Sequence, residues 1–470
     1  MRVENLNVSC ARDLECRYLL SFRQIVCSVI FLGLSLISIR LNAQPPKRLY
    51  IANDDHTDYM WTANEADYDS AFVQMLDHYL DEIEATKNNP SDFQSRFNCD
   101  GSYWLKAYQE YRSPAQFQRL ISRIKSGHIS SPLNLLVSCY GAQPAEAVLR
   151  GMYYAGSLER KYNLRFRLVA AMENNTMPLG LASLWAGAGA KYSWRGIGGY
   201  GSQLSYESRA KRTLNLYRYT GLDSAALLTK AYLYDEQKYA PLGGYAECRM
   251  IIKYKNLDKD LDNVINKLDA FCDSGLLNAR YPYRVAGAFG FGHDDLKTFV
   301  AKPFVEAAKR STNDQRSVRV SNELDFFEDV ERTYPRVPSE AASYGNEWDT
   351  YCASMNETTA AVKRSTEKLR AAEAMASLAS ITDKGLMTPL TAMRDLAWES
   401  YGMYWEHDWT ADGPVGRKER AEWQIKIQQQ ISSYVDTLFN RSLGSISRQL
   451  TKGLNPVSYT HLTLPTKRIV

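Results

Sequence analysis

Four times along this chain an apolar, strand-like run gives way without a spacer to a cluster of polar side chains, and a helix-like stretch follows. Leu49-Tyr50-Ile51-Ala52 runs into Asp54-Asp55-His56-Thr57-Asp58, after which Phe72, Met75, Leu76, Tyr79, Leu80 and Ile83 keep helical spacing. Phe166 to Ala171 runs into Met172-Glu173-Asn174-Asn175 and then a helix-like stretch to Gly189. Tyr283 to Phe289 runs into Gly290-Phe291-Gly292-His293-Asp294-Asp295, and Val318-Arg319-Val320 into Ser321-Asn322-Glu323-Leu324-Asp325. Strand and helix in alternation predict an α/β fold with a mostly parallel sheet, because parallel strands need a crossover and a helix supplies it. In such sheets ligands sit beyond the carboxyl ends of the strands, where all four polar clusters fall.

From about Glu340 the pattern changes. Val362, Leu369, Ala372, Ala376 and Ala379 keep helical spacing, as do Ile427, Ile431, Tyr434 and Leu438, and no Gly or Pro interrupts residues 363–381. This reads as a helical bundle over 336–455, packed on an α/β domain over 44–335. Arg17 and Arg23 precede an apolar stretch, residues 25–37, that ends near Ala43. Basic residues, a short apolar run and a small residue make 1–43 a signal peptide, with an uncleaved anchor as the other reading. The expected destination is the periplasm or the exterior, and a membrane enters only through that anchor. Residues 456–470 suit neither domain and read as a non-native tail, the translation of a sequencing adaptor, so His461 is expected to have no role.

The 470 residues allow two or three domains with sizeable cores. A net charge of +4 argues neither for nor against an acidic partner, no long basic run suggests nucleic acid, and none is expected as a partner. Nine tryptophans and thirty-one tyrosines suit sugar recognition, but most such rings belong to cores. Three of the eight cysteines fall in the leader; the others are scattered and odd in number, and without a CxxC they suggest neither a disulfide framework nor a cysteine metal site, though the sequence leaves one unassigned bridge open. No feature of the sequence specifies an oligomeric state.

The chemistry rests on histidines and carboxylates. His56-Thr57-Asp58 on a tight turn can aim an imidazole and a carboxylate at one metal ion; its plain alternative is a solvated turn. Glu406-His407-Asp408 offers a second histidine among carboxylates, with a helix cap and a surface salt bridge as its plain alternative. Glu173 and Asp294-Asp295 follow separate strands, and two carboxyl groups facing one sugar supply a nucleophile and a general acid/base. An isolated Asp-Asp is otherwise an ordinary turn.

Taken in order, these motifs resemble glycoside hydrolase family 38, retaining α-mannosidases with a catalytic zinc, over roughly Leu49 to Ser442. His56-Thr57-Asp58 with Trp61 resembles the family's first zinc motif, and Glu173 through Gly189 the segment that begins at its catalytic aspartate. Gly292-His293-Asp294-Asp295-Leu296 is similar to its Gly-Asp-Asp-Phe segment. Trp348-Asp349, with Lys363-Arg364 and Arg370-Ala371-Ala372-Glu373, is similar to its helical-domain entry, and Glu406-His407-Asp408 to its His-His-Asp motif.

The resemblance implies a seven-stranded-type β/α catalytic domain followed by helices, with the family's C-terminal β-sandwich domains expected to be missing from the sequence given. It implies a zinc ion held by His56, Asp58, Glu173 and His407, with Glu173 as nucleophile. Asp295 becomes the leading acid/base with Asp294 beside it, Trp61 the platform under the sugar ring, and Asp408 an acceptor for sugar hydroxyls. The implied substrate is a glycan or oligosaccharide with terminal α-mannosyl or related α-glycosyl residues. Two departures stand out: Glu173 where the family has aspartate, and Glu406 where it has histidine. A member that binds zinc and carbohydrate without turnover, and a zinc-dependent sugar ester or amide hydrolase, are the alternative readings.

Overall fold

A computed structural model describes residues 45–172, 176–196, 214–231, 257–278, 281–290, 296–345, 347–409 and 412–451. The expected leader, Glu173, Asp294, Asp295 and the tail from 456 lie outside the described residues. The fold is mixed α/β, with mostly parallel strands first and helices after. Its strands are β1 (Lys47–Ala52), β2 (Phe97–Asn98), β3 (Ile129–Ser130), β4 (Leu168–Ala171) and β5 (Tyr192–Arg195). They continue with β6 (Leu216–Thr220), β7 (Ala226–Ala231), β8 (Val285–Ala288), β9 (Arg316–Ser321) and β10 (Ser339–Glu340).

Strand β1 lies between β8 and β9, parallel to both, with Leu49 opposite Ala286 and Val318. Beyond its end the ladder continues: the Asn98 amide donates to the Asn53 carbonyl at 3.0 Å, and Leu133 donates to Leu168 at 2.8 Å. These links carry β1 through the parallel pair β2 and β3 to β4, which pairs with β5 and then β7 in parallel. The strands β6 and β7 pair antiparallel in a hairpin that turns at Gly221–Ala225, where the Asp223 carboxylate accepts the Ala225 amide hydrogen.

β4 and β8 are apolar and buried along their whole length because both faces are covered, as parallel sheets require. Successive residues of β4 divide accordingly. Leu168 and Ala170 join one apolar cluster with Leu49, Ile51, Val285 and Val320, while Val169 and Ala171 join another. The helices Leu257–Asn278, Ala301–Ser311 and Leu324–Thr333 contribute to the first cluster. The helix Glu65–Thr86 and the later helices contribute to the second.

Asn64 caps the helix Glu65–Thr86, accepting the Asp67 amide hydrogen, and Glu65 and Asp67 sit in its first turn, where the helix dipole favours acids. All the apolar positions read at helical spacing in it are buried. Further on, the helices Asn356–Ala379, Thr391–Tyr404 and Arg417–Thr451 pack together. Ala372, Ala376 and Ala379 let the first approach Ile427, Ile431, Tyr434 and Leu438 of the last. These helices share their core with Val169 and Ala171 of β4, so the helical part closes one side of the α/β part. Among the described residues no helix is long and apolar enough to cross a membrane.

Candidate functional site

Beyond β1 the chain stays buried although it is polar from Asn53 to Asp58, and each side chain is held for a reason visible in its contacts. Asp54 accepts the Gly290 amide hydrogen at 2.6 Å, which ties the end of β1 to the residue before the 291–295 segment. Asp55 accepts the hydroxyl hydrogen of Thr298. The amides of Trp61 and Thr62 both donate to the Asp58 carbonyl, at 3.0 and 3.1 Å, and Tyr68 accepts the Asp58 amide hydrogen. This turn, with Met60 at φ 63°, folds the Asp58 carboxylate back toward His56. His407 arrives from the far side. Past the helix Thr391–Tyr404 an antiparallel bridge joins Glu406 to Ser138, and His407 donates its amide hydrogen to the Val137 carbonyl.

The two histidines meet across 351 positions of sequence with Nε2 atoms 3.0 Å apart. Asp58 Oδ1 lies 2.9 Å from the Nε2 of His56 and 3.3 Å from that of His407. Behind the rings, Asp100 Oδ2 stands 3.2 Å from His56 Nδ1, and Glu406 Oε1 stands 2.6 Å from His407 Nδ1. The Nε2 atoms lie at hydrogen-bond distance, with the donor set by the tautomer; when both ring hydrogens sit on the Nδ1 side, toward Asp100 and Glu406, both Nε2 lone pairs face one another and the Asp58 oxygen. In that tautomer three electron-rich, buried atoms lie within 3.3 Å of one another, an arrangement that a cation among them stabilises.

Ligands about 2.0–2.1 Å from a tetrahedral zinc stand about 3.3–3.4 Å from each other. The observed separations of 2.9–3.3 Å fall within a few tenths of an ångström of that spacing. The donor set of two imidazoles and a carboxylate suits zinc, and the backing carboxylates complete the usual arrangement around metal-bound histidine. The residues present therefore fit a zinc ion.

The other candidate residues are placed as follows. Asp408 is buried with Oδ2 3.9 Å from His407 Nε2, at the edge of the group. Trp61 is half-buried and lies flat on Gly413, where an added Cβ would come within 2.6 Å of the indole. A side chain at Gly413 would thus displace the indole. Trp348, in the helical-domain entry motif, lies nearly parallel to His407, with ring centroids 5.8 Å apart. Glu173, the proposed fourth ligand, and Asp294 and Asp295 lie outside the described residues.

One plain reading is corrected. Glu406 makes no surface salt bridge: it is fully buried, with one carboxylate oxygen at His407 and the other at Arg420, 2.5 Å away. Sequence reasoning missed Asp100. It follows a strand of two residues, too short to show a period, and its one visible signal was a polar residue after Phe97-Asn98-Cys99.

Glu323, at the end of β9, is a further buried acid. It accepts the Trp194 indole hydrogen at 3.0 Å and sits in a three-residue turn at φ 61°, closed by the Leu324 amide donating to the Asn322 carbonyl at 2.6 Å. Burial pushes its carboxyl well above the usual range of 4.5, and the nearby charge of Asp54 adds to the shift, while the indole hydrogen opposes it. A carboxyl whose folded-state pKa is raised loses stability as pH climbs through the unfolded pKa. Glu323→Gln removes that loss and keeps an acceptor for Trp194. The variant is expected to match the wild type near pH 4 and to gain up to about 1.4 kcal/mol per pH unit above it, until the native group ionises. Urea midpoints of both proteins across that range measure it; a difference that stays flat with pH contradicts it.

No family model matches the sequence, and no curated protein is similar to it. Solved structures are similar in fold. An α-mannosidase from Enterococcus faecalis V583 superposes with a TM-score of 0.59 at 15% identity, over 86% of this chain and 43% of that one. A protein in glycosyl hydrolase family 38 from Enterococcus faecalis gives a TM-score of 0.56 at 15% identity, over 86% of this chain and 41% of that one. The chain thus spans less than half the length of either structure. At so low an identity the agreement concerns the path of the backbone, and that path includes both the α/β part and the helices that follow it. The chain has a divergent form of the glycoside hydrolase family 38 fold.

Proposed function

We propose that this protein is a zinc-dependent glycoside hydrolase that removes terminal α-mannosyl, or closely related α-glycosyl, residues from glycans with retention of configuration. The observation that carries the reading is the meeting of His56, Asp58 and His407, with Asp100 and Glu406 behind the two imidazoles. The fold supports it. His56, Asp58 and His407 would hold the zinc, with Glu173 as fourth ligand. When bound, the metal supplies a positive charge to which sugar hydroxyls bind.

The chain's own groups perform the remaining steps. Trp61 offers an aromatic face to the ring, and Asp408 accepts hydrogen bonds from its hydroxyls. Glu173 attacks the anomeric carbon and forms a glycosyl ester, while Asp295, with Asp294 beside it, protonates the departing oxygen. The same acid/base then takes a proton from water, which cleaves the ester and restores Glu173. The bond from the Gly290 amide to Asp54 anchors the start of the segment that carries Asp294 and Asp295. The leader directs the protein to the periplasm or the exterior.

Glu173 in place of aspartate favours a second reading, a protein that binds zinc and sugar without turnover, because a catalytic group misplaced by about 1 Å can cost ~100-fold in rate. A chromogenic α-mannoside separates the two. Turnover that a chelator abolishes and zinc restores, with the α-anomer as first product, supports the hydrolase. Stoichiometric zinc binding with no turnover on a panel of α-glycosides supports the second reading. Release of acetate from an acetylated sugar, with no free sugar formed, overturns both.

A further inference from the structure

We propose that Arg420 is a positioning residue that joins the two halves of the metal site, so that zinc affinity depends on a side chain that touches none of the described ligands His56, Asp58 and His407. The inference rests on the zinc reading above. His56 and Asp58 follow β1, and His407 follows a helix more than three hundred residues later, so something must fix one half against the other. Arg420 lies in the first turn of the helix Arg417–Thr451 and is 1% exposed.

Its guanidinium makes two bonds in different directions. Nη2 donates to Glu406 Oε2 at 2.5 Å, and Nη1 donates to the Tyr59 carbonyl at 2.5 Å. The second oxygen of Glu406 lies against His407 Nδ1, and Tyr59 is the residue after Asp58. The contacts close a ring: Asp58, the Tyr59 carbonyl, Arg420, Glu406, His407, and back to Asp58 across the 3.3 Å approach of Nε2 and Oδ1. The indole of Trp423 lies 5.0 Å from the guanidinium carbon, and the Arg420 amide donates to the Gly416 carbonyl, so the arginine is itself held in place.

Two properties of arginine suit this role. Its planar fork bonds two acceptors at a fixed angle, which an ammonium group on a flexible stem does not reproduce. Its charge also offsets that of Glu406, whose carboxylate acts on the Nδ1 side of His407 and strengthens Nε2 as a donor to the metal. A buried ion pair contributes little net stability on its own, because both charges leave water. A role in setting ligand geometry explains why this pair is buried where apolar side chains would pack as well.

The test is titration of zinc, and of cobalt(II) as a coloured substitute, into chelator-treated protein. The variants are Arg420→Met, Arg420→Lys and the double change Glu406→Leu with Arg420→Met, each checked for folding by near-ultraviolet circular dichroism. All three are expected to bind zinc about 10–100-fold more weakly than wild type, the usual cost of losing a partner behind a metal ligand, and to show an altered cobalt(II) spectrum. The double variant removes both charges, so it is expected to keep the apo fold while its metal affinity stays low. A purely structural role would leave zinc affinity unmoved in the folded variants. If Arg420→Met does not fold, Arg420→Lys and the double variant carry the comparison. Zinc uptake at wild-type affinity by these variants overturns the role of Arg420 alone. No stoichiometric uptake by the wild type overturns the zinc reading and this role with it.

Discussion

His407→Ala is expected to abolish stoichiometric zinc binding and, with it, the stabilisation that zinc gives the wild type. The argument starts from the number of donors. His56, Asp58 and His407 are the described residues that converge on one point, and His407 closes the group from the opposite side of the fold. Losing a group behind a metal ligand typically costs about 10–100-fold in affinity, so loss of a ligand itself should exceed that range. A protein that binds zinc only when folded gains about 4 kcal/mol at a thousandfold excess over the dissociation constant. The wild type should therefore melt several degrees higher with zinc than with chelator, whereas His407→Ala should melt at the same temperature in both. Thermal scans in zinc and in chelator measure it. A zinc shift of wild-type size in His407→Ala would remove His407 from the site.

The apo proteins test the same geometry from the other direction. Without a metal, two imidazole Nε2 atoms and a carboxylate oxygen crowd together in a buried space. His407→Ala relieves that crowding but leaves a cavity beside Trp348 and takes from Glu406 its contact with His407, leaving those with Arg420 and the Asp408 amide. The two effects oppose each other, so apo stability should change far less than the holo difference.

What the sequence made legible was what local chemistry determines. An apolar run that ends in polar residues located β1, β4, β8 and β9, and helical spacing located the helices Glu65–Thr86, Asn356–Ala379 and Arg417–Thr451. Strands of two residues such as β2 and β3 carry no periodic signal, and the β6–β7 hairpin lay in a stretch where the alternation of strand and helix offered no guide. His56 and His407 could be paired only through the order of motifs in a resembling family, since nothing in spacing links positions 351 residues apart. Glu406 shows the limit most clearly. A glutamate beside a histidine and an aspartate reads as surface charge, and its burial depends on Arg420, fourteen positions on in a different element. Whether a charge is buried is decided by tertiary partners, and a single sequence does not name them.

Glu173→Ala is expected to lower turnover of an α-mannoside on the order of 10⁵-fold, as removal of a nucleophile does in other hydrolases. In excess zinc, which offsets the loss of Glu173 as a ligand, the vacated carboxylate leaves room for a small anion, so azide should restore turnover. The product should be the β-glycosyl azide, since azide attacks the anomeric carbon from the side that Glu173 occupied. That product distinguishes loss of the nucleophile from loss of metal alone, which azide does not repair. Glu173→Asp addresses the departure from the family. If the backbone has adjusted to the longer side chain, shortening it withdraws the carboxylate by about one bond and should cost ~100-fold. An increase on the same change would instead show that glutamate had lowered the activity of a site shaped for aspartate. Turnover by Glu173→Ala within about tenfold of wild type would exclude Glu173 as the nucleophile.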